Sequence, residues 1–158
     1  MRQIRTHPLC REGFAPFGDV LEVPAGGGRT YFDGGLGNAR PGASPSLSLT
    51  RVAPIAELPL LAKVMERHEF SSQSFIPLAI GRWLMIVAPS AAGGGPDASA
   101  AQAFLAGPGQ GITYHVGTWH HPLTVLDRAA ELAVFMWRDG TAGDEEFVPV
   151  EPFLVTVA

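Results

Sequence analysis

Short apolar segments, each followed by Gly, Pro or charged residues, repeat through the last third of the chain. They read AFLAG, ITYHV, LTVLD and LAVFMWR between residues 103 and 138. Segments of this length at such close intervals are typical of strands in a β-sandwich or barrel. The 19 glycines and 14 prolines among 158 residues also favour many short elements. The sequence therefore predicts a mainly β fold, an antiparallel β-barrel or jelly roll with long loops and little helix.

The remaining segments extend this pattern toward the N-terminus. Strands are predicted where apolar residues alternate or cluster, in DVLEV (19–23), SLSLTRVAP (46–54), FIPLAI (75–80) and RWLMIVAP (82–89). Residues 24–46 and 90–102 are predicted loops. The stretch 54–69 contains two prolines and is predicted as a turn followed by a strand entering at Val64, with a short helix as the alternative. Because there is no internal repeat, we expect one domain over residues 1–158.

Charge and composition exclude several classes of partner. The net charge is −4, the isoelectric point is near 5.7 and Lys63 is the single lysine, so the chain lacks the clustered basic residues of a nucleic-acid-binding surface and nucleic acid is not an expected partner. No apolar run approaches the roughly 20 residues of a membrane-spanning helix. The first ten residues lack an apolar signal-peptide core, which predicts a cytoplasmic protein. With Cys10 as the only cysteine, an internal disulfide is impossible.

Polar residues interrupt the apolar stretch ERHEFSSQSFIPLAIG. Residues two apart on a strand share a face, so Glu66 and His68 are expected to project together. Gln73 can rejoin that face across a turn at residues 70–72. Burying such groups costs free energy unless they bind one another or a ligand.

Three of the five histidines lie in a second stretch, GQGITYHVGTWHHPL. Tyr114 sits on one face of the predicted strand, and Gly117 is a candidate turn or bulge that resets the register. His120 and His121 are adjacent, so on an extended chain only one can serve a given pocket. Each histidine could be a satisfied core or rim residue. The joint pattern instead predicts a site where the two stretches meet, with Arg138 at the end of a later strand.

These two stretches resemble the metal-binding motifs of the cupin barrel in altered form. Over nearly its whole length the chain is similar to the ureidoglycolate lyase family, through FAPFGDVLE, ERHEFSSQSFIPL and FLAGPGQGITYHVGTWHHPL. The loop YFDGGLGNARPG differs from the Asn-Gly stretch that precedes an arginine in that family, and Trp137 replaces an Asp before Arg138. The resemblance therefore implies the fold more firmly than the exact substrate.

The resemblance implies cleavage of (S)-ureidoglycolate, a small-molecule substrate, to glyoxylate and urea in allantoin breakdown. It also implies a cytoplasmic homodimer and a divalent metal, nickel or zinc. The residues on matching positions are His68, Gln73, Tyr114, Trp119, His120 and His121, with Arg40 compared to the family arginine.

Roles follow from side-chain chemistry and from the resemblance together. His68 and His120 are the best metal ligands, and Glu66 and Gln73 are weaker ones; a protein without metal is the alternative. Histidine suits proton transfer near neutrality. The catalytic candidates are His120, His121 and Tyr114, the last two taking the proton transfer if His120 binds metal. The substrate-binding candidates are Arg40, Gln73, Trp119 and Arg138, either arginine being able to hold a carboxylate.

Two other functions fit the same residues. A cupin isomerase or dioxygenase acting on a small carboxylate or sugar is one, although a dioxygenase generally needs a firm iron site and Gln73 stands at the usual Glu position. A small-molecule-binding cupin is the other. Within the main hypothesis, a hydrolytic route that releases ammonia instead of urea also remains open.

Overall fold

The computed structural model describes residues 1–158 and is built mostly from strands. Helix is confined to α1 (Arg11–Phe14) and three single 3-10 turns. The strands are β1 (Gln3–Arg5), β2 (His7–Pro8), β3 (Gly18–Leu21), β4 (Ser44–Val52), β5 (Leu60–Arg67), β6 (Gln73–Ala79), β7 (Trp83–Ala88), β8 (Gln102–Ala106), β9 (Gly111–Tyr114), β10 (Trp119–His120), β11 (Thr124–Val125), β12 (Ala130–Arg138) and β13 (Glu146–Thr156).

The strands form two sheets that pack face to face as a nearly closed barrel. The larger sheet has the order β1-β13-β5-β10-β7-β8-β2, with β11 also paired to β7. The smaller sheet has the order β3-β9-β6-β12-β4. All pairings are antiparallel except β1 with β13 and β2 with β8, which are parallel. The predicted mainly β, cupin-like barrel is confirmed, with these two parallel pairs as an addition.

The main apolar core lies between the two sheets. Strand β7 shows how the sequence builds it, because its six residues are all buried. Trp83, Met85 and Val87 point into the core between the sheets, whereas Ile86 and Ala88 join a second apolar cluster on the opposite face of the larger sheet. A continuous apolar run, rather than an alternating one, is what a strand covered on both faces requires.

The smaller sheet is covered completely on its inner face and only partly on its outer face, where Ser74 and Thr113 are buried beside the loop around residues 22–36. Its inner face contributes residues such as Ile112 and Leu132 to the core. On its outer face, Leu47 and Leu49 are 70% and 73% exposed, and both lie on β4, the edge strand. This face therefore leaves apolar side chains in contact with water.

The segment 54–69 is a strand from Leu60 to Arg67, so the expected start at Val64 was four residues too late and the helical alternative does not form. Both prolines precede the strand, and the residues after Pro59 are free to pair with β13.

The longest strand, β13, was not anticipated from the sequence. Pro149 and Pro152 lie inside it, and prolines normally argue against a paired strand. The structure accommodates them at an irregularity, where the register with β5 shifts between Pro149 and Phe153. The C-terminal segment can therefore cover one edge of β5 despite its prolines.

None of the helices in the structure has the length and apolar character needed to cross a membrane.

Candidate active site

Glu66, His68 and His120 converge in the interior of the barrel. His120 on β10 is paired directly with Glu66 on β5, and directly opposed residues of neighbouring strands share a face. His68 follows β5 two residues after Glu66. One potential ligand atom from each of the three residues lies within 4.8 Å of the others, and the two imidazole centroids are 5.6 Å apart. The predicted meeting of the two polar stretches is therefore observed.

Hydrogen bonds to backbone carbonyls fix the tautomer of both imidazoles. The Nδ1–H of His68 donates to the backbone oxygen of Asp144 at 2.8 Å, and the Nδ1–H of His120 donates to that of Thr118 at 2.9 Å. A carbonyl oxygen only accepts, so the proton of each neutral ring lies on Nδ1. In both rings Nε2 is left as an unprotonated electron-pair donor.

These two Nε2 atoms are buried without a hydrogen-bond partner. Nε2 of His120 lies 3.4 Å from Oε1 of Glu66, and Oε1 of Gln73 is likewise buried and unpartnered. Buried acceptors normally have donors, and leaving them without one costs free energy. Two imidazole nitrogens and a carboxylate form a donor set suited to nickel, zinc or iron, so these residues fit a divalent cation.

A cavity of about 340 Å³ opens onto this group. His68 and Gln73 line its inner part, whereas Glu66 and His120 lie buried immediately behind His68. Its other polar lining side chains are Ser46, Ser48, Arg138, Thr141, Asp144 and Glu145.

A larger groove of about 650 Å³ lies elsewhere, between the outer face of β6 and the loop around residues 22–36. Its lining includes Ile76, Phe32 and Phe135 but none of the buried unpartnered atoms. The smaller cavity is therefore the candidate active site, because catalysis depends on converging polar groups such as His68 and Gln73 rather than on the volume of a cavity.

The two candidate arginines occupy different positions. Arg138 ends β12 and lines the cavity with its side chain 55% exposed; its Nε lies 3.7 Å from Oδ2 of Asp144. Arg40 comes from the long loop before β4, and its guanidinium is held by Asp139 at 3.0 Å and Asp144 at 2.8 Å. Arg40 does not line the cavity. The cation available to an incoming anion is therefore Arg138.

Tyr114 joins the site behind the cavity. Its ring stacks on that of His120, with centroids 4.0 Å apart and planes 13° from parallel. Burial, with a smaller contribution from the negative charge of Glu66, raises the pKa of its hydroxyl. Tyr114 therefore keeps its proton at neutral pH and can act as a donor.

Trp119 and His121 do not join the group. Trp119 precedes His120 on the strand, so its side chain points to the opposite face and packs in the second apolar cluster, with the Arg67 guanidinium 4.6 Å above its ring. The Nδ1 of His121 bonds with Pro122 and Thr124, and His121 does not line the cavity. Alternation along the strand placed one histidine of the pair in the site, as expected, and excluded the other.

Asp144 is the site residue that the sequence did not single out. It lies 76 positions after His68, in the turn between β12 and β13, yet its backbone oxygen holds the His68 ring. The motif DGTAGDEE carries no spacing signal for this contact, which only the three-dimensional fold creates.

Opposing effects set the charges of the group. Burial raises the pKa of Glu66, but the adjacent imidazole of His120, with smaller contributions from His68 and His121, outweighs that effect, so the net pKa is lowered. Burial lowers the pKa of His68, and the neighbouring His120 adds to that effect. At neutral pH the group therefore contains an ionised Glu66 and a neutral His68.

Comparison with known proteins identifies the family of the chain. Residues 1–156 match the family model for ureidoglycolate lyase. This chain belongs to the ureidoglycolate lyase family. Among its relatives, the ureidoglycolate lyase of Pseudomonas entomophila is 36% identical, covering 98% of this chain and 97% of that protein. The ureidoglycolate lyase of Pseudomonas paraeruginosa is 37% identical, covering 93% of this chain and 91% of that protein.

Among solved structures, a dTDP sugar isomerase from Desulfovibrio desulfuricans G20 has a TM-score of 0.51 at 14% identity, covering 84% of this chain and 82% of that one. This likeness shows a shared cupin-type fold. Membership of the ureidoglycolate lyase family confirms the resemblance on which the sequence interpretation depended.

The buried neutral histidines predict a loss of stability on acidification. Burial lowers the pKa of both His68 and His121 below the 6.5 of an unfolded chain. Below about pH 6.5 the unfolded state therefore binds more protons than the folded state, and the free energy of unfolding falls, by at most about 1.4 kcal/mol per pH unit for each histidine. Urea unfolding between about pH 7 and pH 5 measures this decline.

The substitution His68→Gln should flatten the decline, whereas substitution of the exposed His7 by Gln should leave it unchanged. A wild-type unfolding free energy that stays constant or rises as the pH falls through this window would contradict the assignment of neutral, buried imidazoles.

Proposed function

We propose that the protein cleaves (S)-ureidoglycolate to glyoxylate and urea in the breakdown of allantoin and purine nitrogen. The observation that carries this proposal is the convergence of Glu66, His68 and His120 beside a small cavity with Arg138 at its rim, in a member of the ureidoglycolate lyase family. The reaction breaks a carbon–nitrogen bond, as in amidine lyases, and needs no water as a reactant.

The substrate sets three requirements. One of its carbons carries a hydroxyl group and a ureido nitrogen beside a carboxylate. As the carbon–nitrogen bond breaks, the hydroxyl loses its proton and becomes the aldehyde oxygen of glyoxylate. The departing ureido nitrogen gains a proton, and the carboxylate must be held throughout.

Arg138 binds the carboxylate in this proposal. Arg138 is the one arginine that lines the cavity. Asp144 lies next to its Nε, so the two terminal nitrogens of the guanidinium are available for a planar, two-point contact with an anion. The unpartnered Oε1 of Gln73 accepts a hydrogen bond from the ureido N–H groups. Together these contacts place the reactive carbon between the rim and the imidazole group.

Glu66 and His120 handle the proton. Without a cation, Nε2 of His120 accepts the proton of the hydroxyl, and the carboxylate of Glu66, 3.4 Å away, stabilises the imidazolium that forms. With a cation bound to Nε2, His120 would be a ligand only, and Tyr114 would take over the proton transfer. The stacked ring of Tyr114 fixes the orientation of the imidazole, and its protonated hydroxyl is the second proton donor of the site. We assign no step to His121 or Trp119, because His121 is bonded to Pro122 and Thr124 and Trp119 packs in the second apolar cluster.

A divalent cation, nickel or zinc, is part of the proposal, with Glu66, His68 and His120 as its ligands and Gln73 beside them. Such a cation would supply Lewis acidity, lowering the pKa of the substrate hydroxyl and stabilising the developing oxyanion. His68 and His120 are already in the tautomer that binding through Nε2 requires.

The test is incubation of the protein with (S)-ureidoglycolate, with and without chelator, while glyoxylate, urea and ammonia are measured. We expect equal amounts of glyoxylate and urea, a decrease after chelation, and recovery with added nickel or zinc. The substitution His120→Ala should lower kcat by at least about 100-fold, because it removes the proton acceptor or, with a cation bound, one of its ligands.

The matched control is His7→Ala, a histidine exposed on a distant strand, which should keep wild-type turnover. Glyoxylate with ammonia and no urea would replace the lyase route with hydrolysis. Near-normal turnover of the His120→Ala variant would refute the assigned site.

The outer face of the smaller sheet supports the further proposal of a homodimer. Leu47, Leu49, Ile76 and Leu78 are between 42% and 73% exposed on this face. A contiguous apolar patch next to an open strand edge is costly in water and is typical of an interface between copies of a chain. A cytoplasmic location agrees with the single free Cys10.

Sedimentation analysis should therefore give a mass twice the 16.7 kDa of the chain. The double substitution Leu47→Lys with Leu49→Lys should give monomers, because it places charges in the interface. Leu61→Lys, at an exposed leucine of the larger sheet, is the control and should leave the dimer intact. A monomeric wild-type protein, or dimers of the double variant, would contradict this interface.

A further inference from the structure

Asp144 is a buried acid that touches three separate segments around the cavity. It lies at the end of the short 3-10 turn between β12 and β13, with its side chain 8% exposed. Its contacts reach His68 after β5, Arg40 in the long loop and Arg138 at the end of β12. His68 and Asp144 lie just beyond the first pair of the β5–β13 ladder, Arg67 with Glu146, whereas Arg40 and Arg138 belong to other segments.

The carboxylate of Asp144 acts only as an acceptor and accepts three hydrogen bonds. Oδ1 accepts from the Asp139 amide at 2.9 Å and from Nη2 of Arg40 at 2.8 Å, and Oδ2 accepts from the Gly140 amide at 2.8 Å. These three hydrogen bonds close the turn from 139 to 144 on the carboxylate.

The backbone oxygen of the same residue accepts the Nδ1–H of His68. This oxygen is held from two sides, by the pairing of β13 with β5 that begins at Glu146 and by the turn whose first two amides bond the Asp144 carboxylate. Without the carboxylate, the carbonyl would lose its fixed distance from the imidazole. The ring would then be free to carry its proton on Nε2, where the other acceptors of the group lie.

We infer that Asp144 is a positioning residue that holds His68 in the Nδ1–H tautomer and Arg138 at the rim of the cavity. It acts through both residues and contacts no reacting atom. The expected effect on turnover rests on the proposed ureidoglycolate cleavage, whereas the effect on the His68 tautomer does not. No local sequence pattern around Asp144 indicates this positioning role.

The test compares Asp144→Asn with Asp139→Asn. An Asn side chain has one acceptor and one donor group, so it cannot satisfy the Arg40 guanidinium and the two amides at once. The Asp139 side chain contacts the same Arg40 at 3.0 Å and bonds Thr141, but it makes no hydrogen bond or ion pair with the side chain of His68 or Arg138. Its variant removes the same charge from the same cluster and leaves the Asp144 carboxylate in place.

Nitrogen-15 NMR of the histidine rings at neutral pH reads the tautomers directly in the full-length protein without added metal. We expect His68 and His120 of the wild type to be Nδ1–H tautomers. In Asp144→Asn, His68 should become a mixture while His120, held by Thr118, stays unchanged. Asp139→Asn should leave both rings as in the wild type.

Kinetics supply the second measurement. Loss of an outer partner of this kind typically costs about 10- to 100-fold in metal affinity or activity. We expect Asp144→Asn to lose that much in kcat/KM for ureidoglycolate, with a raised KM from the displaced Arg138, while Asp139→Asn stays close to wild type.

An Nε2–H tautomer of His68 in the wild type would overturn the inference without any variant. So would Asp144→Asn with an unchanged His68 tautomer. If the wild type does not cleave ureidoglycolate, the proposed function fails while the tautomer comparison still decides the role of Asp144. A variant that does not fold leaves the wild-type tautomer as the deciding result.

Discussion

Three electron-pair donors face one another in a part of the barrel that holds no matching hydrogen-bond donor. Nε2 of His68, Nε2 of His120 and the carboxylate of Glu66 lie within 4.8 Å, and both nitrogens are buried and unpartnered. Such an arrangement is costly unless a proton or a cation lies between the groups. The cation-binding capacity of the site depends on this arrangement, because the fold holds the three groups close together and leaves both imidazole nitrogens without a hydrogen-bond donor.

Strand pairing and backbone carbonyls maintain this arrangement together. Pairing of β5 with β10 places Glu66 opposite His120. The carbonyl oxygens of Thr118 and Asp144 accept hydrogen bonds from the Nδ1–H groups of His120 and His68, which carry the only proton of each neutral ring. The larger sheet is buried on both faces at β7, so the strands that carry these residues have little freedom to move. A rigid scaffold with its polar groups aimed at one point is what electrostatic catalysis requires.

Sequence reasoning reached the parts of the site that depend on local periodicity. The two-residue spacing of Glu66 and His68 correctly placed them on one face, and the adjacency of His120 and His121 correctly allowed only one into the pocket. Gly117 adopts a positive φ of 77° in the turn that separates β9 from β10, as its position suggested. Each of these features is determined within a few residues of chain.

Contacts between distant segments were beyond that reasoning. Arg40 was expected to bind substrate, but two acids from the turn after β12 hold its guanidinium. Trp119 was expected near substrate, but it packs in the second apolar cluster together with Phe153 of β13. The sequence did not predict β13, because prolines lie inside it. Asp144 was missed because its importance arises only when β5 and the β12–β13 turn meet.

X-ray absorption spectroscopy of the nickel-loaded protein tests the central claim most directly, because it counts the imidazole ligands of the bound ion. The account predicts one nickel ion per chain with two imidazole ligands, falling to one in both His68→Ala and His120→Ala. Nickel bound without imidazole, or with two imidazole ligands still present in either variant, would contradict the claim that these two rings and Glu66 form a single cation-binding group.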